Sequence, residues 1–421
     1  MREFDLLARV MEGNPRLPAA VRVPPGDDMA AIEVAEPVST LQLRSTISLD
    51  APLQSDAESW RAFGARSIER ALSTGSNSAM ACVVGATLSQ GLSDSAALAF
   101  HTGLRQASER GNAPIIGGDL SIMARTVVCV GTLVSSASSR SALAIGTPQS
   151  LALVACDSAI EGKHVPRGCD AFVLGRKAML RNFSDVAAMG NALPVATSAG
   201  IVFPLGTTPE RLQRLEQGLR ETASRWGAPL LNIAWLSDAA SDQETGLYAC
   251  VTILARKLDE ARPLALRSDA RAGDGVYVTG IIGGAWDPVS GLGRHLDFTP
   301  RLAVAQALVR ELGDGLGAMI DVSDGLGRDL GHIAELSRVQ VRLQLADLPL
   351  AEGTVARIAI AQGEDYELAF TARGSVPDSI AGVPITRIGV IETGSPSVLI
   401  QEDGEWLDAS KLGFEHDGGA S

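Results

Sequence analysis

Long apolar runs and aromatic residues are both scarce in this chain of 421 residues. No apolar run reaches the roughly 18 residues that a membrane-spanning helix needs. The first residues, MREFDLLARVMEG, lack the apolar core of a secretory signal peptide. We therefore expect a cytoplasmic protein with no membrane partner. The aromatic content of 4%, beside 44 glycines and 20 prolines, predicts an α/β or α+β enzyme rich in tight turns.

Basic residues are fewer than acidic ones. Lys and Arg total 36 against 49 Asp and Glu, which gives a formal net charge of −13. This balance excludes a general nucleic-acid binder, because affinity for the phosphate backbone depends on positive charge. Acidic loops can still bind a nucleotide when Mg²⁺ neutralises both partners.

Several chemical signatures are also absent. There is no Walker-type phosphate loop and no nucleophile elbow, which argues against a P-loop fold and against acyl-transfer hydrolysis. No two cysteines form a CxxC pair, so we expect buried thiols instead of a zinc site or a disulfide framework. The cysteines are Cys82, Cys129, Cys156, Cys169 and Cys250.

Acidic residues stand where predicted strands give way to loops or helices. The most informative stretch is Ile320 to Leu336, in which apolar residues lead into an acidic loop and then recur at helical spacing. Ser323 or Asp324 could simply cap this helix, whose positive end would also suit phosphate. Similar residues elsewhere favour binding of divalent metal and phosphate over repeated capping. They are Asp27, Asp28, Asp119, Asp185, Glu364 and Asp365.

Residues 1–138 and 139–258 contain the same order of predicted strands and helices. At one constant offset Gly64 and Arg70 fall opposite Gly175 and Arg181, and more matches follow after a small insertion. We infer an internal duplication, followed by an α+β domain over 259–421 with an irregular tail from Asp403. Helices are predicted over Glu3 to Met11, Glu58 to Leu72, Ser95 to Glu109, Phe172 to Met189, Pro209 to Trp226 and Pro300 to Leu312.

The two copies have lost different acidic residues. Copy one has Asp119 where copy two has Ala234, and copy two has Asp157 where copy one has Thr46. Neither copy alone holds the full set, so we infer one composite site lying between the copies. A decayed duplicate with chance survivors is the alternative.

These residues suit phosphoryl transfer, which needs metal ions on the phosphate oxygens and backbone N–H groups around the phosphate chain. Gly118 would let the backbone approach a phosphate, and Lys177 would pair with one unless it is only a solvated side chain on a helix. His164 either orients a phosphate or ligand, or makes only a local hydrogen bond. The candidate metal ligands are Asp27, Asp28, Asp119, Asp157, Asp185 and Asp324.

A set of motifs across nearly the whole chain resembles the thiamine-monophosphate kinase family of the aminoimidazole ribonucleotide synthetase-like superfamily. They lie at Pro25 to Asp28, Ile115 to Asp119, Asp157 to His164, Gly175 to Gly190, Gly273 to Gly280, Asp321 to Leu326 and Gly363 to Leu368. The last motif, G-E-D-Y-E-L, favours this family over its superfamily relatives.

The resemblance implies that Mg²⁺ and ATP serve to phosphorylate thiamine monophosphate directly, giving thiamine diphosphate without a phosphoenzyme. It implies catalytic roles for Asp185 and Asp324. The implied ATP or phosphate contacts are Gly118, Asp119, Lys177 and Ser323, and the implied substrate contacts are His164, Glu364, Asp365 and Tyr366.

The resemblance also explains the duplication, because family chains have one N-terminal domain and dimerise through it. We expect an α+β fold with two aminoimidazole ribonucleotide synthetase-like N-terminal domains, 1–138 and 139–258, joined as an intrachain pseudo-dimer. One C-terminal domain, 259–421, would leave one working site. The chain would then be a monomer in solution.

The chain differs from the family pattern near the expected acceptor side. Gln362 replaces a glycine, Val165 replaces an aromatic residue after His164, and Trp286 lies in a loop where small residues are expected. Two alternatives therefore stay open: an ATP-dependent enzyme with another acceptor, and a nucleotide-binding regulator that has no turnover.

Overall fold

The computed structural model describes residues 17–34, 40–52, 56–73, 79–123, 125–136, 151–238, 246–402 and 404–414. They form a mixed α+β fold, as predicted. The predicted helix over Glu3 to Met11 lies outside these residues. The first of two compact units contains the described residues of Met1–Asn182 and Pro194–Arg256, and the second contains those of Phe183–Leu193 and Lys257–Phe414.

The helices agree with the predicted ones to within a few residues where both exist. They are α1 Ala57–Leu72, α2 Asp94–Arg110, α3 Ala171–Ala188, α4 Pro209–Arg225, α5 Leu302–Leu312, α6 Leu326–Ser337 and α7 Ala356–Ala359. Side-chain caps set several of their starts: Asp56 accepts from the Ser59 N–H at 2.8 Å, and Thr208 caps α4 just before Pro209. None of the described helices has the length and apolar character needed to cross a membrane.

The strands, numbered in chain order, build three sheets. They are β1 Val21–Val23, β2 Ala30–Glu33, β3 Thr40–Ser48, β4 Ala79–Ser89, β5 Ile115–Met123, β6 Val127–Ser136, β7 Leu151–Ile160, β8 Ala192–Pro204, β9 Leu230–Asp238, β10 Tyr248–Lys257, β11 Gly275–Thr279, β12 Leu316–Asp321, β13 Gln340–Leu343, β14 Leu368–Ala372, β15 Ser379–Ile380, β16 Val383–Glu392, β17 Ser397–Glu402 and β18 Glu405–Asp408.

In the first unit, the last four strands of the six-stranded sheet repeat the strand order of the four-stranded sheet. The four-stranded sheet runs β3-β6-β4-β5, and the six-stranded sheet runs β1-β2-β7-β10-β8-β9. Gly85 pairs with Asp119 in the first, and Gly200 pairs with Ala234 in the second. Both of these parallel ladders also contain a register shift at the corresponding place. It lies between Cys82 and Val83 in the first and between Thr197 and Ser198 in the second.

Glycines bring the helices of each pair close together. A Cβ on Gly103 of α2 would lie 1.9 Å from the Arg61 carbonyl oxygen of α1, and one on Gly218 of α4 would lie 2.1 Å from that of Phe172 on α3. No other residue fits such an approach, since these distances are far inside van der Waals contact. Close helix packing is therefore the physical reason for the glycine matches between the two halves.

A continuous apolar core in the first unit draws buried residues from both sheets, among them Ile47, Cys129, Cys156 and Cys250. Gly131 on β6 faces Thr252 on β10 so closely that a Cβ would lie 2.4 Å from the threonine Oγ1. All five cysteines are free, four of them buried and Cys169 partly exposed.

The second unit is built on the order β12-β14-β11-β16-β13-β17-β18, with β15 paired to β16. Its core packs α6 and the sheet through residues such as Ile320, Leu330, Ile333 and Val341. The expectation of an irregular tail from Asp403 is wrong for Glu405–Asp408, because this segment pairs with β17 as β18. The Arg342 guanidinium lies 4.5 Å from the Trp406 ring centroid and covers this strand.

Candidate functional site

Two carboxylates from different sheets meet in the first unit. Asp119 lies on β5 and Asp157 lies on β7. Ser158 donates its hydroxyl to Asp119 Oδ2 at 2.6 Å, and Arg181 on α3 donates Nη2 to Asp157 Oδ1 at 2.8 Å. The predicted ligands Asp119 and Asp157 are therefore brought together, one from each sheet of the first unit.

The charge balance of this pair is unfavourable for two free carboxylates. Loss of solvent, and after it the neighbouring Asp157 charge, raises the pKa of Asp119 to about 6. Arg181, the Ser158 hydroxyl and Lys163 act in the opposite direction. Two hard oxygen donors that repel each other fit a divalent cation, which would relieve that repulsion.

Gly118, which precedes Asp119, is exposed and packs closely against β4. Gly118 has φ of +152°, and a Cβ there would lie 2.0 Å from the Val84 carbonyl oxygen, so only glycine fits. Asp27 and Asp28 lie in the turn between β1 and β2. Because Ala30 on β2 pairs with Val154 on β7, this turn lies toward the end of β7 that carries Asp157.

The structure distinguishes between the sequence alternatives for Lys177 and His164. Lys177 on α3 has no exposed surface, so the alternative of a solvated helix side chain is wrong. Lys177 also interacts with other groups of the protein. His164 is buried, and its Nδ1 accepts the Ile160 N–H at 3.0 Å, which is the local hydrogen bond that the sequence left open.

A second acidic pair lies in the second unit. One carboxylate oxygen of Asp185 and one of Asp321 lie within 4.8 Å of each other. Asp321 ends β12, and Ser184 donates its hydroxyl to Asp321 Oδ2 at 2.6 Å. Asp321, which was not among the predicted ligands, is thus brought beside Asp185.

Asp329 organises the loop that carries Ser323 and Asp324. Its Oδ2 accepts the backbone N–H groups of Ser323, Asp324 and Gly325 at 3.0, 3.2 and 3.1 Å. The interpretation of Ser323 or Asp324 as a helix cap is wrong, because the residue before α6 is Gly325, with φ of +121° and no capping side chain. Burial, and after it the Asp324 and Asp321 charges, raises the pKa of Asp329 well above its usual range.

The turn at Gly363 to Tyr366 is attached to this loop. The Glu364 N–H donates to the Ser323 carbonyl at 2.7 Å, and the Tyr366 N–H donates to that of Val322 at 2.8 Å. Glu364 and Tyr366 have φ of 72° and 51°, a left-handed conformation that non-glycine residues rarely adopt. The three predicted substrate residues in this turn, Glu364, Asp365 and Tyr366, therefore lie beside Ser323 within the second unit.

Aromatic and imidazole rings line the same turn. Tyr366 stacks on Phe298 with ring centroids 3.9 Å apart and an interplanar angle of 7°. Its hydroxyl donates to Glu364 Oε2 at 3.3 Å, and His295 Nδ1 lies 3.1 Å from the same oxygen. One carboxylate is thereby fixed between a phenol and an imidazole.

Asp365 is buried beside an arginine. It accepts the Gly283 N–H at 3.0 Å and Arg294 Nη2 at 2.6 Å. Burial raises the pKa of Asp365 to about 7, against the lowering effects of the Gly283 N–H and Arg294.

The sequence analysis assigned no role to several residues that build these sites. Arg181 was noted only as a repeat match, and Asp329 and His295 were not singled out. A helical spacing after Asp324 places Asp329 one turn into α6, facing back to the loop, which is the signal that could have identified it. His295 had no comparable signal, because its position depends on the path of an irregular loop.

Comparison with known proteins identifies the family. The model for the N-terminal domain of AIR synthase related protein matches residues 140–252. The chain is 33% identical to the thiamine-monophosphate kinase of Rhodopirellula baltica over 235 residues, covering 52% of this chain and 68% of the relative. It is 31% identical to that of Escherichia coli K12 over 307 residues, covering 65% and 89%.

A solved structure supports the same assignment. The crystal structure of thiamine-monophosphate kinase from Stenotrophomonas maltophilia K279a matches with a TM-score of 0.54 and 26% identity, covering 64% of this chain and 90% of that one. The fold, the site motifs and these similarities agree. The chain belongs to the thiamine-monophosphate kinase family.

Proposed function

We propose that this protein is an ATP-dependent thiamine-monophosphate kinase that produces thiamine diphosphate and ADP. The observation that carries the proposal is the meeting of Asp119 and Asp157, two carboxylates held together although each opposes the charge of the other. Groups with perturbed pKa values that converge from different elements are typical of functional sites. Family membership supplies the reaction.

In this reaction a phosphate oxygen of thiamine monophosphate forms a bond to the γ-phosphorus of ATP. The bond from that phosphorus to the oxygen bridging to ADP breaks, and ADP leaves. Phosphoryl transfer needs little covalent help from the protein, so positioning and charge stabilisation carry the catalysis.

Mg²⁺ fits the donor chemistry of both acidic pairs, since carboxylate oxygens are its preferred protein ligands. We assign Mg²⁺ to carboxylates of each unit: Asp27, Asp28, Asp119 and Asp157 in the first, and Asp185, Asp321 and Asp324 in the second. When bound, it would neutralise phosphate charge on ATP. Arg181, already bonded to Asp157, holds that carboxylate in one orientation.

The remaining roles fall to residues around these carboxylates. The exposed backbone at Gly118 is assigned to phosphate. In the second unit, Ser323 and the turn of Glu364, Asp365 and Tyr366 are assigned to phosphate and acceptor. Asp329 keeps the Ser323 loop in place through three backbone hydrogen bonds.

Purified protein given Mg²⁺, ATP and thiamine monophosphate should form thiamine diphosphate, separated and quantified by chromatography. Asp185→Asn and Asp324→Asn should each abolish product, because each removes a carboxylate assigned to the reacting phosphates. No product at high enzyme concentration would overturn the proposal, and tight binding of Mg-ATP in that case would favour the regulator.

We also propose that the first unit is an intrachain pseudo-dimer that arose by duplication of 1–138 and 139–258, with 259–421 as the single C-terminal domain. The repeated strand order and the repeated register shift support this proposal. So does the core shared by the two sheets, in which Gly131 meets Thr252, the residue at the corresponding place on β10.

The pseudo-dimer proposal predicts a monomer in solution, because the surface that would pair two chains is already covered internally. Light scattering coupled to size exclusion should give the mass of one chain across a wide concentration range. A dimer that persists on dilution would contradict it.

A further inference from the structure

The loop over residues 281–294 leaves β11 and is fastened to the Gly363 to Tyr366 turn. At its base Asp365 accepts the Gly283 N–H, and Arg294 donates both to the Gly283 carbonyl at 2.9 Å and to Asp365. The side chain of Asp365 is fully buried. The base of the loop is thus held to the turn by the Arg294–Asp365 ion pair and the Gly283 N–H bond to Asp365, and the Arg294 bond to the Gly283 carbonyl joins its two ends.

The tip of this loop is bonded to itself. Asp287 Oδ1 accepts the Ser290 N–H at 2.7 Å, and the Gly291 N–H donates to the Asp287 carbonyl at 2.8 Å. These bonds close the tip into a turn, so the backbone there is held by contacts within the loop.

Gln362 supplies the attachment between base and tip. Its Oε1 accepts the Gly284 N–H at 2.6 Å, and its Nε2 donates to the Trp286 carbonyl at 3.1 Å. A carboxamide carries its acceptor and its donor on separate atoms, so Gln362 accepts from one backbone group and donates to the other at the same time. A glycine makes neither bond, and a carboxylate makes only the first.

The side chains carried by the loop are apolar and exposed. Ile281, Val289 and Leu292 have exposed fractions of 45%, 93% and 52%, and Trp286 is partly buried. Such a surface suits an organic ring better than a phosphate chain. Thiamine monophosphate carries a pyrimidine and a positively charged thiazolium, and an indole ring attracts a cation of that kind.

We propose that Gln362 is a positioning residue that determines acceptor affinity, by holding Trp286 and its loop against the Glu364–Tyr366 turn. This inference rests on the proposed kinase activity. Its effect falls on the organic acceptor and not on ATP, because the loop carries apolar side chains and its arginine, Arg294, is already paired with Asp365.

The test uses the full-length enzyme with Gln362→Gly and Gln362→Glu. For Gln362→Gly, KM for thiamine monophosphate should rise about ten-fold, since two hydrogen bonds are lost, while KM for ATP and kcat stay within about two-fold. Gln362→Glu should show a smaller rise, because the Gly284 bond remains. Gln401→Glu adds the same charge at an exposed site on β17 and should change neither constant.

Amide hydrogen exchange gives a readout that does not depend on turnover. In Gln362→Gly the peptide covering residues 284–287 should exchange at least several-fold faster than in the wild type, with other peptides unchanged. A wild type without activity would defeat the kinase proposal, whereas the exchange comparison would still test the attachment.

Three results would overturn the inference. They are unchanged exchange in both Gln362 variants, an unchanged acceptor KM despite faster exchange, and an equal rise in the KM for ATP. If Gln362→Gly does not fold, as judged by thermal melting, Gln362→Glu decides the question through the same acceptor-to-ATP comparison.

Discussion

The two sheets of the first unit have the same backbone plan but different chemistry. In one ladder Gly85 pairs with Asp119, and in the other Gly200 pairs with Ala234. The register is the same although the carboxylate is present only once. The backbone plan therefore depends on glycines and apolar packing, and the acidic residues are not needed to form it.

The difference between Asp119 and Ala234 also affects the free energy of folding. Asp119 lies where burial and Asp157 oppose its ionisation, so keeping a charge there costs folding free energy. Ala234 at the corresponding place avoids this cost. A carboxylate at a position where its charge costs stability is what is expected when that position serves a reaction.

The largest expected effect separates these two positions by activity. Asp119→Asn should lower kcat/KM roughly a thousand-fold, because a ligand to the metal and phosphates loses its charge while keeping its shape. Ala234→Asn places the same side chain at the corresponding position in the other half and should leave kcat/KM within about three-fold. Steady-state thiamine diphosphate formation measures both.

Equal losses of kcat/KM in the two variants would contradict a functional difference between the two positions. Full activity of Asp119→Asn would contradict it as well. Thermal melting of both variants serves as the control, since Asp119→Asn removes an unfavourable charge and should be at least as stable as the wild type.

The second prediction concerns the packing that both halves share. Gly131→Ala should destabilise the protein by about 2 kcal/mol, because the added Cβ would lie 2.4 Å from Thr252 Oγ1. Adding Thr252→Ala should recover at least half of that loss, since it removes the two nearest atoms. Urea denaturation measures each free energy of unfolding.

Gly117→Ala is the matched control on β5. Its nearest neighbours would be 3.7 Å away, an ordinary contact, so the change should stay within about 0.5 kcal/mol. Equal losses at Gly117 and Gly131, or no recovery with Thr252→Ala, would show that the close contact between β6 and β10 does not limit this core.

Sequence patterns predicted the elements of the fold well, for reasons that the structure makes clear. Residue patterns along the chain predicted α1 to α5, because such patterns depend on neighbouring residues. The repeat matched Gly64 with Gly175 without giving the reason, which is a helix-to-helix contact with residues far along the chain.

The site was predictable in part. Complementary losses suggested that Asp119 and Asp157 act together, and the structure does bring them together. The closeness of Asp321 to Asp185 could not be predicted, because it depends on tertiary contacts between segments far apart in the chain. The burial of Lys177 and the hydrogen bonds of Gln362 could not be predicted from the sequence either, since both depend on the path of distant segments.

The smallest expected effect lies where the halves differ in polarity. The buried hydroxyls of Ser45 on β3 and Ser198 on β8 lie 2.7 Å apart. The residues at the corresponding places, Cys156 on β7 and Val83 on β4, cannot form a pair of hydroxyls. Ser198→Ala should cost about 1 kcal/mol of unfolding free energy in urea denaturation, since it leaves the Ser45 hydroxyl without this partner. Ser45→Ala and Ser198→Ala together should cost no more than the single change, because an apolar pair needs no hydrogen bond. Additive losses would mean that the two hydroxyls act independently, and the polar difference between the halves would then have no energetic meaning.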